Sequence, residues 1–523
     1  MTTFPTDTDG LPACVASALV TLFAGESFEL RIAPVAKRIG DATVRMLAYD
    51  GSIPGPTLEV QQGSEVVVDV VNDGDLEATV HWHGLRVENR YDGTHETQAP
   101  MKIGERFSYR VQFPDPGVYW YHPHIREDYG QEMGLYGNIL VVPSDPDYWA
   151  PVNREIPLTL DDVLIEDGKI APFSRSETTH VAMGRFGNVL LAGGEPYLAL
   201  TARHCEVVRF YLTNTANTRV FNVRFAGARM KLVGGDSGRC EQEELVEEVL
   251  LAPSERAVVD VLFDVPGRAT LEHHHPNRCY PLAAIDVSDE NAAPSFASQF
   301  EALRTNADLV AERRRITPYL AAAPDKTLAF VAEMDMGVPD GAFVYACPMH
   351  PEVVSATPGR CPECGMKLLP SQGAADPAPM HEHGHAASDG IEWEDDMVDV
   401  NRTTTPANMR WKLVDTATEA ENHAIDWRFR VGEQVKIRLV NEMDSDHPMH
   451  HPFHIHGAGR FLVLSRDRVE EPNLVWKDTV LVRTGETVDI LLDVTNPGIW
   501  MAHCHIAEHH EGGMMFSFLV DAA

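Results

Sequence analysis

Four His-X-His pairs, at His81/His83, His122/His124, His454/His456 and His503/His505, constrain this chain more than any other feature. Side chains two residues apart on a β-strand share a face, so each pair can present two imidazoles to one metal cluster. Two pairs lie in an early stretch of the 523 residues and two in a late one, which makes eight imidazoles available at one place. Neutral imidazole suits copper, whereas redox-inert zinc rarely requires so many ligands. A lone His-X-His is most often a surface coincidence or a satisfied core histidine. Four of them, flanked as His-Trp-His-Gly, Tyr-His-Pro-His, His-Pro-Phe-His-Ile-His-Gly and His-Cys-His-Ile, are not.

The fourth pair brackets Cys504, which strand alternation turns to the face opposite His503 and His505. A thiolate there binds a different copper. His509 follows five residues on, Met514 ten residues on, and His451 opens the third motif, so Cys504, His451 and His509 with a weak axial Met514 satisfy a blue-copper ligand set. Core packing is the alternative for Met514, beside Met515, Phe516 and Phe518. A mononuclear electron acceptor is implied, joined to the histidine cluster through the backbone on either side of Cys504. The run His447-Pro-Met-His450-His451 repeats a His-Pro element, but only His451 stands three residues before His454. His447 and His450 are expected at the periphery, toward substrate.

Around these motifs the texture is β-rich. Runs such as Glu65 to Val71, Arg106 to Phe113, Val207 to Asn214, Ala257 to Phe263, Thr327 to Glu333 and Val488 to Val494 are broken by Gly, Pro and Asp turns. The expected fold class is all-β, in β-sandwich or Greek-key barrel domains. An N-terminal segment (1–26) precedes a first domain (27–147), and a second (148–290) carries no paired histidines. A helical connector (291–325), rich in Ala, Leu, Glu and Arg, leads to a third domain (326–523) interrupted by an insert (338–390). No apolar run reaches the ~20 residues of a membrane helix. A formal charge of −35 disfavours nucleic acid and anionic lipid and favours cationic substrates or metal ions, though acidity also simply aids solubility. Leu11 to Gly25 follows Asp7 and Asp9 rather than a basic stretch, so no signal peptide is visible. Cys205, Cys240 and Cys279 allow one disulfide or none.

In this order, the four motifs resemble those of the three-domain multicopper oxidases, which include laccases, bacterial cuprous oxidases and ferroxidases. The resemblance covers nearly the whole chain apart from the insert. It implies three cupredoxin-like barrels and four coppers: a type 1 copper in the third domain, and a trinuclear cluster between the first and third. By position, His81 and His454 look like type 2 ligands, and His83, His122, His124, His456, His503 and His505 like type 3 ligands. Asp92, in Arg90-Tyr-Asp-Gly, matches the acidic residue that the family places near the cluster to manage protons; a turn is its alternative. The position after His509, often acidic in bacterial members, is His510 here, so Glu508 or Glu511 is the expected second proton donor. The resemblance also implies a periplasmic or secreted protein.

Within the insert, Tyr345-Ala-Cys-Pro-Met-His-Pro and Pro358-Gly-Arg-Cys-Pro-Glu-Cys-Gly-Met resemble the small heavy-metal-binding domain of copper and silver efflux proteins. Cys347, His350, Cys361 and Cys364 suit a structural zinc or a softer Cu(I), and Met349 and Met366 tilt the balance toward Cu(I). Beyond them, Met380-His-Glu-His-Gly-His385 is a metal-attracting tract on a linker. The whole implies an oxidase that draws electrons from Cu(I) or a small-molecule reductant such as a phenol or aromatic amine, in a setting of copper tolerance. Substrate is expected near an exposed edge of His509 or His451, with Cys504 relaying electrons to a cluster that reduces dioxygen to water. A copper nitrite reductase has no use for eight paired imidazoles, and a copper store or carrier has none for a cysteine wired between them.

Overall fold

The computed structural model describes all residues except 1, 340, 342, 372–388 and 443. Strands form where β-branched and aromatic residues alternate with polar ones. Glu65–Asn72, reading EVVVDVVN, buries Val66, Val68 and Val70 on one face and leaves the residues between them half-exposed.

In the first block, a four-stranded sheet in the order Ala42–Tyr49, Ser27–Ile39, Glu65–Asn72, Arg106–Gln112 shares a core with a five-stranded sheet. The latter runs Leu19–Leu22, Thr57–Gln61, Gly137–Val142, Gly117–His122, His81–His83. A second block packs a six-stranded sheet on a five-stranded one, and a third packs a seven-stranded sheet on a five-stranded one. Each large sheet combines hairpin neighbours with neighbours distant in sequence, such as Ser27–Ile39 beside Glu65–Asn72, the crossovers of Greek-key barrels. Helices Ala297–Glu301 and Ala307–Leu320 lie between the second and third blocks. Three short strands, Val344–Ala346, Val354–Ser355 and Leu369–Ser371, form the inserted module's own sheet. The His-rich tract 380–385 lies outside the described residues.

Register brings the histidine motifs together. In the first block His81 pairs with His122, and in the third His454 pairs with His503 while Phe453 pairs with Cys504. Two short helices, the acidic Glu127–Glu132 and the C-terminal Ala507–Glu511, pack on each other between the two motif pairs. All eight thiols are free, so Cys205, Cys240 and Cys279 form no disulfide. No described helix is long and apolar enough to cross a membrane.

Candidate metal centre

All eight paired histidines are buried and converge between the first and third blocks. Only the first pair lies wholly on a strand. His124, His456 and His505 stand one or two residues past the ends of Gly117–His122, His451–Ile455 and Gly498–Cys504. Strand alternation therefore does not account for the second ring of those pairs; the chain's turn beyond each strand end brings it in. The ligand nitrogens of His81, His83 and His454 lie within 4.8 Å of one another, as do those of His83, His122 and His505, and those of His124, His456 and His503.

Backbone carbonyls set the tautomers. Nδ1–H donates to a carbonyl oxygen from His81 (Asp92, 2.7 Å), His122 (Pro123, 2.9 Å), His454 (Asp478, 2.9 Å) and His503 (Cys504, 2.9 Å). A carbonyl cannot donate, so each ring's proton is committed to Nδ1 and Nε2 is left as a bare lone pair. Two carboxylates do the same: Asp92 Oδ2 accepts from His456 Nδ1 at 2.9 Å, and Asp478 Oδ1 from His83 Nε2 at 3.0 Å. Nε2 of His81, His122 and His454, Nδ1 of His83 and both nitrogens of His124 are buried with no hydrogen-bond partner. Orphaned polar atoms at this density cost ~1–3 kcal/mol each unless something binds them. Burial holds the imidazoles of His83, His124, His454, His456 and His503 well below their usual pKa, so they are neutral and ligand-ready. This donor set fits copper.

Cys504 ends its strand and faces away from the cluster. Its Sγ lies 3.5 Å from His451 Nδ1 and 3.8 Å from His509 Nδ1, with 3.4 Å between the two nitrogens. Met514 is buried in the same apolar cluster, and its carbonyl accepts the Cys504 N–H at 3.1 Å. The expectation of an exposed imidazole edge fails: His451 and His509 are 1% and 0% exposed. Trp411 stacks on His509 at 4.1 Å between centroids, and its Nε1–H donates to Val181 O (2.6 Å), so a loop of the second block clamps the cover. His447 and His450 are likewise buried rather than peripheral; His447 lies against Trp411, and His450 Nδ1 accepts from the Glu392 N–H at 3.1 Å.

Asp92 lies against the cluster, as its carboxylate contact with His456 shows. Glu508 is buried too, but its carboxylate accepts from Asn217 Nδ2 (3.1 Å) and Thr218 Oγ1 (3.3 Å). The carboxylate set among the imidazoles is Glu127, which sequence reasoning missed: Oε1 lies 3.0 Å from His122 Nδ1 and 3.6 Å from His505 Nε2, and Oε2 lies 2.9 Å from His510 Nδ1. The neighbouring imidazoles outweigh burial and hold its carboxyl well below the usual range. Glu127 thus bonds directly to His510, the residue that follows His509. Its N–H donates to Glu511 Oε1 at 3.3 Å, and Glu511 lines a surface cleft of about 940 Å³.

The acidic helix buries three carboxyls, Glu127, Asp128 and Glu132, and the last is raised to about 7 by burial despite Arg185. Its folded pKa exceeds the unfolded value, so the protonated state favours folding. That contribution is present below about pH 4.5 and is lost as pH rises through about 7. Glu132→Gln is expected to flatten stability against pH over this window, read from denaturation midpoints at a series of pH values.

In the module, Cys347 Sγ lies 3.6 Å from Cys364 Sγ and 3.7 Å from His350 Nδ1, which is itself 3.4 Å from Cys361 Sγ. The hydrogen bond from Cys364 leads the effects that bring the Cys347 thiol down to about 5. This is a four-ligand pocket of the kind that holds a thiophilic ion.

Three Greek-key blocks, a buried histidine cluster and a cysteine–histidine trio beside it define a copper oxidase. The description "Multicopper oxidase" matches residues 34–146 and again 392–523, and "Heavy metal binding domain" matches 344–371. Among similar proteins, "Multicopper oxidase MmcO" of Mycobacterium tuberculosis is 25% identical, covering 94% of this chain and 86% of its own. "Multicopper oxidase mco" of Staphylococcus epidermidis is 23% identical, covering 90% and 82%. A solved multicopper oxidase from Campylobacter jejuni superimposes with a TM-score of 0.66 at 21% identity, covering 100% and 99%. The chain belongs to the multicopper oxidases and carries a heavy-metal-binding domain within its third barrel. It is an enzyme that binds four coppers and couples the oxidation of a reductant to the reduction of dioxygen.

Proposed function

We propose that this oxidase takes Cu(I) as its physiological reductant and serves copper tolerance, with phenol oxidation as a secondary activity. One observation carries the reading: the type 1 rings are sealed beneath Trp411 and the second block, and a metal-binding module is packed beside them. A bulky phenol has no exposed imidazole edge to approach. In support, the Campylobacter jejuni relative is titled "a metallo-oxidase".

In this reading Cys504, His451 and His509, with Met514 beside them, would hold the mononuclear copper. His81 and His454 hold the type 2 copper. His83, His122 and His505 hold one type 3 copper, and His124, His456 and His503 the other, in line with the three groupings above. Bound copper supplies one-electron exchange at the first site and the reduction of dioxygen at the cluster. Cys504 relays electrons through its peptide neighbours His503 and His505. Asp92 Oδ2 accepts the Nδ1–H of His456, and Glu127 Oε2 and His510 Nδ1 share a proton, with Glu511 leading to the cleft, so both carboxylates stand where protons pass to the cluster. General acids of this kind contribute ~10²–10⁴-fold. Asp92→Asn and Glu127→Gln are each expected to cut oxygen uptake within that range, while anaerobic bleaching of the blue absorption by a reductant persists.

The test of substrate is oxygen consumption by copper-loaded protein given Cu(I) or, separately, a simple phenol. A kcat/KM at least ten-fold higher for Cu(I) supports the proposal. A higher value for the phenol overturns it and makes the enzyme a laccase.

A further inference from the structure

The inserted module is built into the wall of the third barrel. Lys367 N–H donates to Asp446 O at 2.8 Å, and its Nζ reaches Asp446 Oδ2 (3.0 Å) and Met334 O (2.8 Å). Arg360 forms ion pairs with Asp444 (3.0 Å) and Asp446 (3.3 Å) and bonds to Ser445 O. Five residues beyond Asp446 stands His451, a member of the cysteine–histidine trio. Between them, Met449 is fully buried, and Pro448 lies 3.7 Å from where a Cβ on the module's Gly365 would sit.

Apolar contacts make the same connection. Met366 and Leu369 of the module belong to the buried cluster that contains Met449, Trp411, Met514 and Cys504, and Met349 and the metal-site cysteine Cys364 pack against it. One thiol of the module's pocket therefore rests on the apolar mass that encloses the oxidase's own thiol. A metal knuckle that served only to fold the insert would need neither this docking nor a ligand on the inward face.

We propose that the Cys347/His350/Cys361/Cys364 pocket is the electron-donor site of the oxidase: it receives Cu(I) and passes one electron per ion, across the Asp446–His451 segment, to the acceptor held by Cys504, His451 and His509. The inference rests on the reading of that trio as the acceptor. Three thiolates and an imidazole suit a soft ion such as Cu(I), and the neighbouring Met349 and Met366 tilt the pocket toward it. The bound Cu(I) loses one electron and becomes Cu(II), and the acceptor gains that electron. No covalent bond forms in the step, and the cysteines give up their protons when the ion binds and regain them when it leaves. Cu(II), less suited to a thiolate pocket, departs. Four ions, four electrons and four protons from solvent convert one dioxygen to two waters, the established reaction of the enzyme.

The experiment follows the blue absorption of the four-copper holoenzyme under anaerobic stopped flow, mixed with Cu(I) or with hydroquinone. The quantity read is the ratio of the two bleaching rates. Cys361→Ser is expected to lower the ratio ten-fold or more. One equivalent of Ag(I), a redox-inert soft ion, is expected to do the same in the unaltered chain, where no substitution can have disturbed the fold. Ratios unchanged under both treatments would show that Cu(I) delivers its electron elsewhere and overturn the proposal. An unaltered enzyme whose absorption responds to neither donor overturns the acceptor reading and the donor site with it.

Discussion

Cys504→Ser is expected to abolish the intense blue absorption, lower bound copper from four ions per chain to three and reduce oxygen uptake at least ~10³-fold with any reductant, since each ~1.4 kcal/mol of lost transition-state stabilisation is ten-fold in rate. Cys504 is the trio's only sulfur, buried among Phe453, Met514 and Phe516. A serine hydroxyl is a harder donor and cannot replace the thiolate as electron relay. The eight imidazoles are untouched, so the cluster should still load; metal analysis and the electron paramagnetic signal of the remaining copper check this. Blue absorption that survived in the variant would mean that another thiol is the ligand.

Arg256→Ala is expected to be the most damaging substitution remote from the copper ligands. Its guanidinium is buried between all three blocks: Nη1 donates to Asp478 Oδ1 at 2.7 Å, Nη2 pairs with Asp478 Oδ2, and Nε donates to Val118 O at 3.1 Å. The same Asp478 Oδ1 accepts from His83. Gly84, which follows that histidine with φ +82°, leaves room for the pair: a Cβ there would strike both Asp478 and Arg256. Removing one partner of a buried ion pair costs ~3–5 kcal/mol because it strands the other charge. A drop in Tm of about 3–5 °C is expected on that basis. Replacing both partners, as Arg256→Met with Asp478→Leu, should recover much of the Tm. His83 then loses the acceptor that orients it, a change that typically costs ~10–100-fold in metal affinity, and chelators should strip copper faster. If the double variant regained both properties, Asp478 would have no part in holding the cluster.

The features legible in the sequence were those carried by short-range spacing. Paired histidines, the cysteine between the last pair, the Cys/His pattern of the insert and the period-2 runs such as Glu65–Asn72 all advertise themselves within a few residues. Glu127 and Asp478 do not: Glu127 stands five residues after His122, but its contacts with His505 and His510, like that of Asp478 with His83, form only when chain segments far apart have folded together. Glu508, nearer to the motif in sequence, was the natural candidate for a proton donor, yet its carboxylate bonds to the 217–218 loop of the second block. The sealing of His451 and His509 was hidden for the same reason. Val181 comes from a block with no paired histidines, which gave no sign of reaching the electron entry site.

Dividing the cluster's imidazoles between His81–His124 and His454–His505 also sets a schedule. A ribosome adds about 330 residues between His124 and His454, so the first barrel waits through that long stretch of synthesis with only half of a metal site. Copper capture is then a late step of maturation, taken up by a finished chain from whatever pool its compartment offers. Cells starved of copper while making this protein should accumulate a folded, colourless form that turns blue when the ion is supplied afterwards.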